Sequence, residues 1–379
     1  MKPIHGVNMG NWLVLEKWMK PDVFASTNTE DETWLSRKMP PEALKAHLKQ
    51  HRDTYVTKED FRRVKEAGLS TIRLPVPYQV FGDRPPLVGC IEYADLAFDW
   101  AEELGLKILL DLHTVPGSQN GYDNGGLTGV CKWCKNPEEV EFALSVLDRL
   151  AERYGKREGL YGIEVLNEPI SWIVYISAPS TGKAVDKQEA KGSGYVPLPF
   201  LREFYTRAYK VLRRHMGVEK TVVFHDGFRI GSWNRFFRRS GFENVALDTH
   251  IYIFAMEMFV PIHRPWVYDL FTRINAWRVR QAQKAIPVIV GEWCICNRYA
   301  DRMGKKVMAG ADMAREQREK YNDVARVQLK YWNQADGWFY WNYQLLRDRS
   351  EPMDESWKES WDFCRCLDHG WLSQDMIKE

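Results

Sequence analysis

The chain has 379 residues, enough for one large α/β barrel or for two medium-sized domains. Hydrophobic residues make up 45% of it and charged residues 27%, which is ordinary for a globular protein. Lys and Arg nearly balance Asp and Glu, leaving a formal net charge of +2, so charge gives no basis for binding nucleic acid or an anionic membrane.

Predicted strands and helices alternate along the chain. Short apolar runs predict eight strands, at residues 5–13, 71–77, 107–113, 162–167, 221–226, 246–252, 287–292 and 337–342. Apolar residues spaced by three and four predict helices between them, at residues 59–67, 93–104, 137–154, 201–215, 266–285 and 314–333. Eight strands separated by helices favour a single (β/α)8 barrel over an open sheet, and residues 1–379 are predicted to form one domain.

Three long segments interrupt this alternation. Residues 20–57 follow the first strand, residues 116–137 follow the third, and the polar residues 177–197 follow the fourth. In a barrel, the loops after the strands build the active-site face, so long loops there are expected to shape or cover a pocket. For residues 177–197, a mobile insertion without a role is an equal alternative.

The N-terminus and the cysteines bear on the compartment. The chain begins without a basic stretch followed by an apolar one, so no secretory signal is predicted, and no apolar run reaches transmembrane length. Seven cysteines is an odd number, which fits a reducing compartment and predicts a cytoplasmic protein. The pairs at 131/134, 294/296 and 364/366 suggest zinc, but two pairs lack the usual ligand spacing, so free thiols and no metal are favoured.

Two glutamates close apolar, strand-like runs and carry the chemical prediction. Glu168 lies in the string Asn-Glu-Pro at 167–169, and Glu292 lies in Gly-Glu-Trp at 291–293. Cleavage of a glycosidic bond needs a proton on the leaving oxygen and a nucleophile at the anomeric carbon, which two carboxyl groups of different pKa supply. If Glu168 is the acid, we expect burial and the nearby Glu292 to raise its pKa.

These strings resemble glycoside hydrolase family 5, whose members are (β/α)8 retaining glycosidases, and the resemblance covers nearly the whole chain. It implies that Glu168 is the acid/base and Glu292 the nucleophile, with no cofactor. It also implies that Arg73 holds Glu292 ionised, that Asn167 donates to the sugar 2-OH, and that other side chains bind or support the substrate. These are His113 near the nonreducing sugar, His250 and Tyr252 around the two carboxylates, Trp293 beside the nucleophile, and Trp341 beneath the sugar.

Two loops resemble the exo-β-1,3-glucanase branch of that family. Residues 6–16 and 116–124 carry the resemblance, which implies that Glu16, Asp123 and Asn124 close a pocket around the terminal sugar. The chain departs from the fungal enzymes at Asn11, where they have glycine, at residues 114–115, and in lacking a secretion signal.

The string Leu-Glu-Lys-Trp-Met at residues 15–19 resembles bacterial subfamily 18 of the same family. That resemblance implies an intracellular β-mannosidase that releases mannose from Man-β-1,4-GlcNAc, a small β-linked oligosaccharide. We expect this activity, with β-glucosidase or exo-β-1,3-glucanase as the alternative, because glucose and mannose differ only at C2. The 16 tryptophans suit either sugar, since pyranose rings pack on aromatic faces.

Two other classes of protein are alternatives. A carbohydrate-binding barrel that has lost catalysis would have replaced a catalytic carboxylate, and both are present. A metal-dependent hydrolase would need clustered ligands at strand ends, where only His113, His225 and His250 are candidates.

Overall fold

The strands form one closed barrel. The computed structural model describes residues 3–304 and 311–378, in which eight parallel strands pair in chain order and the eighth pairs with the first. The predicted (β/α)8 fold is therefore confirmed. The strands are β1 Ile4–Asn8, β2 Thr71–Val76, β3 Lys107–Leu112, β4 Leu160–Glu164, β5 Thr221–His225, β6 Val245–His250, β7 Val288–Trp293 and β8 Gly337–Tyr340.

Helices surround the barrel and fill the long loops. The α-helices are α1 Asp22–Ala25, α2 Glu32–Lys38, α3 Pro41–Tyr55, α4 Lys58–Glu66, α5 Ile91–Leu104, α6 Pro137–Tyr154, α7 Trp172–Ser177, α8 Lys187–Ala190, α9 Leu198–Leu212, α10 Asn234–Ser240, α11 Ile253–Glu257, α12 Pro265–Gln283, α13 Arg298–Gly304, α14 Ala311–Trp332, α15 Phe363–Asp368 and α16 Gln374–Lys378. Short 3-10 helices lie at Asp123–Gly125, Trp133–Lys135, Thr181–Lys183, Ile230–Ser232 and Ser356–Trp361. In the described part of the chain, none of the helices is long and apolar enough to cross a membrane.

Two predicted strands end early. The first stops at Asn8 rather than residue 13, and the fourth stops at Glu164 rather than residue 167. The residues that follow are still buried, because the chain continues along the barrel mouth as packed loop. Asn11 has a φ of 60°, which ends any extended run there. The apolar pattern of these residues thus indicates that they are buried, and it does not indicate that they pair as strands.

The segment at residues 20–57 is helical rather than irregular. It forms α1 to α3, which pack their apolar side chains into a small separate core with Leu15. A buried ion pair joins Glu32 to Arg52 at 3.5 Å. This subcore supports one side of the barrel mouth.

The barrel interior is layered. Its bottom is an apolar plug formed by one side chain from each of six strands: Ile4, Leu109, Val223, Ala246, Ile289 and Phe339. Above the plug the interior changes to charged groups, since Arg73, Asp111, Glu164 and Asp248 are all fully buried there. Burying unpaired charge is costly, so this layer requires internal pairing.

Candidate active site

Both glutamates reach the mouth of the barrel through irregular backbone. The pairing of β6 with β7 skips Gly291, so that Thr249 faces Val290 while His250 faces Glu292. This bulge reverses the alternation of side chains and turns Glu292 into the barrel, as bulges near active sites commonly do. Glu168 lies four residues beyond the end of β4 with a φ of 44°, a strained conformation for a glutamate.

One histidine touches both carboxylates. His250 Nδ1 lies 2.7 Å from Glu168 Oε1 and 3.3 Å from Glu292 Oε2. Because both oxygens contact one atom, they lie within about 6 Å of each other, closer than the roughly 6.5–9.5 Å between the carboxyls of inverting glycosidases. The spacing therefore fits direct attack by one carboxylate better than activation of a water between them.

Arg73 connects the charged layer to Glu292. Its Nη1 donates to Glu292 Oε1 at 3.0 Å and to Asn8 Oδ1 at 2.9 Å, and its Nε donates to Glu164 Oε2 at 2.8 Å. The predicted contact between Arg73 and Glu292 is present. Asn8 and Glu164 were not predicted, because a contact across the barrel leaves no local pattern in the sequence.

The remaining carboxylates of the layer also face Arg73. Asp111 Oδ2 lies 3.1 Å from its Nη2, and Asp248 Oδ2 lies 3.9 Å from its Nε. Burial would lower the pKa of Arg73, but the surrounding carboxylates outweigh it and raise that pKa well above the ordinary value. Burial raises the pKa of Glu164, and the neighbouring Asp248 and Asp111 raise it further. The guanidinium is therefore a fixed positive charge beneath the nucleophile position.

Four more predicted side chains surround the two glutamates. Tyr252 Oη donates to Glu292 Oε2 at 2.7 Å. Asn167 Oδ1 accepts from Arg73 Nη2 at 2.9 Å, and its Nδ2 lies 3.3 Å from His113 Nε2. The His113 ring stacks on Trp341 with their centroids 5.7 Å apart. The structure thus brings all of these residues together as expected.

The pKa of Glu168 differs from our expectation, and His250 and Glu292 show why. Burial would raise the pKa of Glu168, but hydrogen bonds from His250 and Asn124 outweigh burial and lower it. Burial raises the pKa of Glu292 against the attraction of His250. Burial would lower the pKa of His250, but Glu292 and Asp248 raise it well above the usual value. The expected raised pKa of Glu168 is wrong for this structure, because its contacts with His250 and Asn124 favour the carboxylate more than burial disfavours it.

A cavity of about 370 Å³ lies over the two glutamates. This is the low end of the volume range for small-molecule sites, and it suits one or two sugar rings. The predicted residues Glu16, Asp123, Asn124, Tyr252 and Trp341 line it. Asn124 Nδ2 donates to Glu168 Oε2 at 2.8 Å, so it contacts the proposed acid/base directly.

Glu16 and Asp123 stand close together at one end of the cavity. Burial raises the pKa of Glu16, and the charge of Asp123 raises it further. Glu16 Oε2 accepts from Trp18 Nε1 at 2.8 Å, while its Oε1 is buried without a protein partner. Glu16 therefore lines this end of the cavity with a buried carboxyl group that Trp18 holds in place.

Sequence reasoning missed an aromatic wall. Trp18, Phe254, Trp357 and Trp361 line the cavity, and they come from the loops after β1, β6 and β8. Trp357 stacks on Trp18 with centroids 6.0 Å apart and on Phe254 with centroids 6.1 Å apart. Only the surplus of tryptophan hinted at this wall, since Trp357 and Trp361 follow the last predicted strand.

The segment at residues 177–197 clamps the loop that carries Asp123 and Asn124. Ser180 Oγ donates to the carbonyl of Asn120 at 3.1 Å, and Tyr122 Oη donates to the carbonyl of Ala178 at 2.9 Å. Asn120 Nδ2 in turn donates to Asn124 Oδ1 at 2.9 Å. The segment therefore has a structural role, and the alternative of an idle mobile insertion is wrong.

Trp293 is the one predicted site residue that the structure places elsewhere. Its ring packs edge-on against Trp338 and Tyr340, 5.5 Å and 5.0 Å away, and it does not line the cavity. Neighbouring strand residues point to opposite faces, so turning Glu292 into the barrel turns Trp293 outward. Its contribution is to packing.

Two sets of side chains near the glutamates could hold a metal ion by their spacing. Within the described residues, ligand atoms come close together in two sets, Glu168 with His225 and His250, and Glu164 with Asp248 and His250. Neither set includes a cysteine, and all seven cysteines are free thiols. His250 contacts the carboxylates of Glu168, Asp248 and Glu292, and these contacts account for the orientation of its ring.

Comparisons with known proteins agree with this geometry. Residues 36–345 match the family described as cellulase (glycosyl hydrolase family 5). The chain is similar to the probable glucan 1,3-beta-glucosidase A of Aspergillus terreus, with 30% identity covering 97% of this chain and 87% of the relative. It is also similar to the glucan 1,3-beta-glucosidase of Candida oleophila, with 28% identity covering 98% and 89%. The solved structure of rutinosidase from Aspergillus niger has a TM-score of 0.75 and 20% identity over 98% of both chains, a likeness in fold.

Proposed function

Because the chain belongs to glycosyl hydrolase family 5, we propose that this glycosidase is exo-acting and retaining, and that it prefers short β-1,3-linked glucosides. The observation that carries the mechanism is the contact of Glu168 and Glu292 with the same nitrogen atom of His250. Carboxylates this close leave no room for a water between them and the sugar, as inversion would need.

In the first step, a carboxylate oxygen of Glu292 attacks the anomeric carbon. The bond to the leaving sugar breaks, and the proton of Glu168 passes to its oxygen. Arg73 and Tyr252 both donate to Glu292 and aim it, and the charge of Arg73 opposes the rise that burial causes in its pKa. In the second step, water attacks the anomeric carbon, Glu168 takes its proton, the ester bond to Glu292 breaks, and the β-configuration is retained.

Glu168 obtains its first proton from His250. The two groups lie 2.7 Å apart, and the raised pKa of His250 keeps a proton on that nitrogen in the free enzyme. A neutral sugar that excludes water from the cavity disfavours separated charges, so transfer from the imidazolium to the carboxylate becomes favourable. This places a neutral acid beside the leaving oxygen.

Exo-action is supported by the loops at one end of the cavity. Trp18, Tyr122 and Asp123 line both this cavity and a neighbouring one of about 380 Å³, so their side chains stand between the two. Tyr122 and Asp123 belong to the loop that resembles the exo-β-1,3-glucanase branch. We therefore assign this end of the cavity to the terminal sugar.

The identity of the sugar rests on the relatives. Those reported above carry the name glucan 1,3-beta-glucosidase, which favours the glucoside over the β-mannoside expected from residues 15–19. The β-mannosidase on Man-β-1,4-GlcNAc is the competing hypothesis. A cytoplasmic location stays a prediction.

A hydrolysis panel tests the proposal. Laminaribiose, cellobiose, β-1,4-mannobiose and Man-β-1,4-GlcNAc are compared by kcat/KM, with exhaustive chelation as a control for a required metal. We expect laminaribiose to be the best substrate and laminari-oligosaccharides to release glucose one unit at a time. Preference for Man-β-1,4-GlcNAc would favour the mannosidase, and release of mixed oligosaccharides would contradict exo-action.

A further inference from the structure

Helix α12 is apolar on both of its sides. Its inner face is buried against the barrel, and its outer face exposes four large apolar side chains at helical spacing: Trp266, Leu270, Ile274 and Trp277. Both tryptophans are more than half exposed, at 61% and 55%. Helix α6, of similar length, exposes no large hydrophobic side chain. The outer face of a surface helix is normally polar or charged, so an apolar stripe there indicates that something covers it.

The segment before α12 enlarges this surface. Met258, Phe259 and Ile262 are also exposed, at 54%, 64% and 47%. We call these three residues and the four on the helix the α12 face. Taking a full aromatic side chain as about 150–250 Å², the α12 face presents roughly 700–800 Å² of apolar surface. Typical monomers have largest patches of about 300–600 Å².

We propose that a second copy of this chain covers the α12 face. A standard stable interface buries about 800 Å² on each partner, which is the area that this face offers. The composition also fits, since aromatic residues, Met and Arg are enriched in interface cores and this face is flanked by exposed Arg273 and Arg278. The proposal is independent of the substrate and of the catalytic mechanism.

A two-fold axis accounts for the pattern of the face. In a two-fold interface the same patch meets itself, so an axis crossing α12 near Phe271 would place Trp266 against the partner subunit's Trp277 and Leu270 against the partner subunit's Ile274. The same axis brings Asp269 beside the partner subunit's Arg273. The acidic and basic side chains of the helix thus complement each other when the copies run antiparallel.

Mass measurement in solution tests the proposal. The full chain is examined by light scattering during size-exclusion chromatography across micromolar concentrations, alongside Leu270→Lys and Leu96→Lys. The two leucines are matched, since each is 39% exposed on the outside of a helix, but Leu96 lies on α5. We expect twice the chain mass for the wild type and for Leu96→Lys, and a single chain mass for Leu270→Lys.

Hydrolysis and circular dichroism show that each variant is folded. A second variant, Trp266→Ser with Trp277→Ser, is expected to dissociate the dimer in the same way. A monomeric wild type, or a dimer that survives both variants, would overturn the proposal. Binding of a monomeric wild type to vesicles of phosphatidylserine and phosphatidylcholine would also overturn it, because the face would then serve a membrane surface.

Discussion

The two halves of the active-site cavity are held by different forces. One half stands on strands, where Arg73 and Glu292 belong to a fully buried layer of charges pinned by the barrel itself. The other half stands on loops, where Glu16 accepts from Trp18 and the loop that carries Asp123 and Asn124 is held by hydrogen bonds to residues 178 and 180. The strand half thus supplies fixed charge. The loop half shapes the cavity and adjusts the pKa of the acid/base Glu168.

Removing a glutamate is expected to give the largest effect. Glu292→Ala deletes the proposed nucleophile, and we expect kcat to fall by at least about 10⁴-fold, as when other covalent nucleophiles are removed. Added azide should restore turnover and give the α-glycosyl azide. In Glu168→Ala, azide should instead give the β-glycosyl azide, because it attacks the covalent intermediate. The same azide anomer from both variants would refute the assigned roles.

Arg73→Met tests the strand half. Leaving buried carboxylates without their cation should cost about 3–5 kcal/mol of unfolding free energy, measured in urea. The pKa of Glu164 is already raised by burial and would rise further in the variant. A carboxyl whose folded pKa is raised destabilises the protein above its unfolded pKa and not below it, so the deficit should shrink as pH falls toward the ordinary glutamate value. A deficit that grows with acidity would contradict this account of the layer.

The two halves should affect opposite limbs of the pH profile. Tyr252→Phe removes a donor from Glu292, so its already raised pKa should rise and move the acid limb of kcat/KM to higher pH. Asn124→Ala removes a donor from the Glu168 carboxylate, so the proton that Glu168 shares with His250 should be held more tightly and the alkaline limb should move upward. Each change should lower kcat by about 10- to 100-fold, the value of a hydrogen bond to a charged group. A shift of the same limb in both variants would show that the halves are not separate.

The strand half was largely predictable from sequence. Arg73, Tyr252 and Glu292 occur in strings that resemble a family, and strand periodicity fixes which side chains share the barrel interior. The carboxylates Asp111, Glu164 and Asp248 were missed as partners, because only closure of the barrel brings them to Arg73. The bulge at Gly291 was also invisible, although it decides that Glu292 and not Trp293 faces the substrate.

In the loop half, only the residues that line the cavity were predictable. Glu16, Asp123 and Asn124 were identified by resemblance, but their supports were not. Ser180 lies 60 residues from Asn120, whose carbonyl it holds, and no periodic pattern links loops at that separation. The same limit hid the aromatic wall of Trp357 and Trp361, which an irregular C-terminal segment delivers.

Gly129→Ala is expected to have the smallest effect and to act on the loop half alone. A Cβ at Gly129 would lie 2.3 Å from the Cα of Ala184, so the clamp and the loop must separate. We expect about a three- to tenfold loss of kcat/KM, since small misplacement of positioning groups is costly. Gly182→Ala is the matched control. It lies in the clamping segment at residues 177–197, its Cβ would have nothing within 4 Å, and the variant should behave like wild type. Equal losses of kcat/KM in both variants would show that the contact between the clamp and the loop does not affect activity.

The central claim is that two carboxylates, held together by His250, act by double displacement. Proton NMR of the first product tests it most directly, because freshly released sugar keeps its anomeric configuration before it mutarotates. With 4-nitrophenyl β-glucoside as substrate, whose only sugar product comes from the cleaved bond, the account predicts that β-glucose appears first and that the α-anomer grows in later. Initial release of α-glucose would mean single displacement by water and would contradict the account.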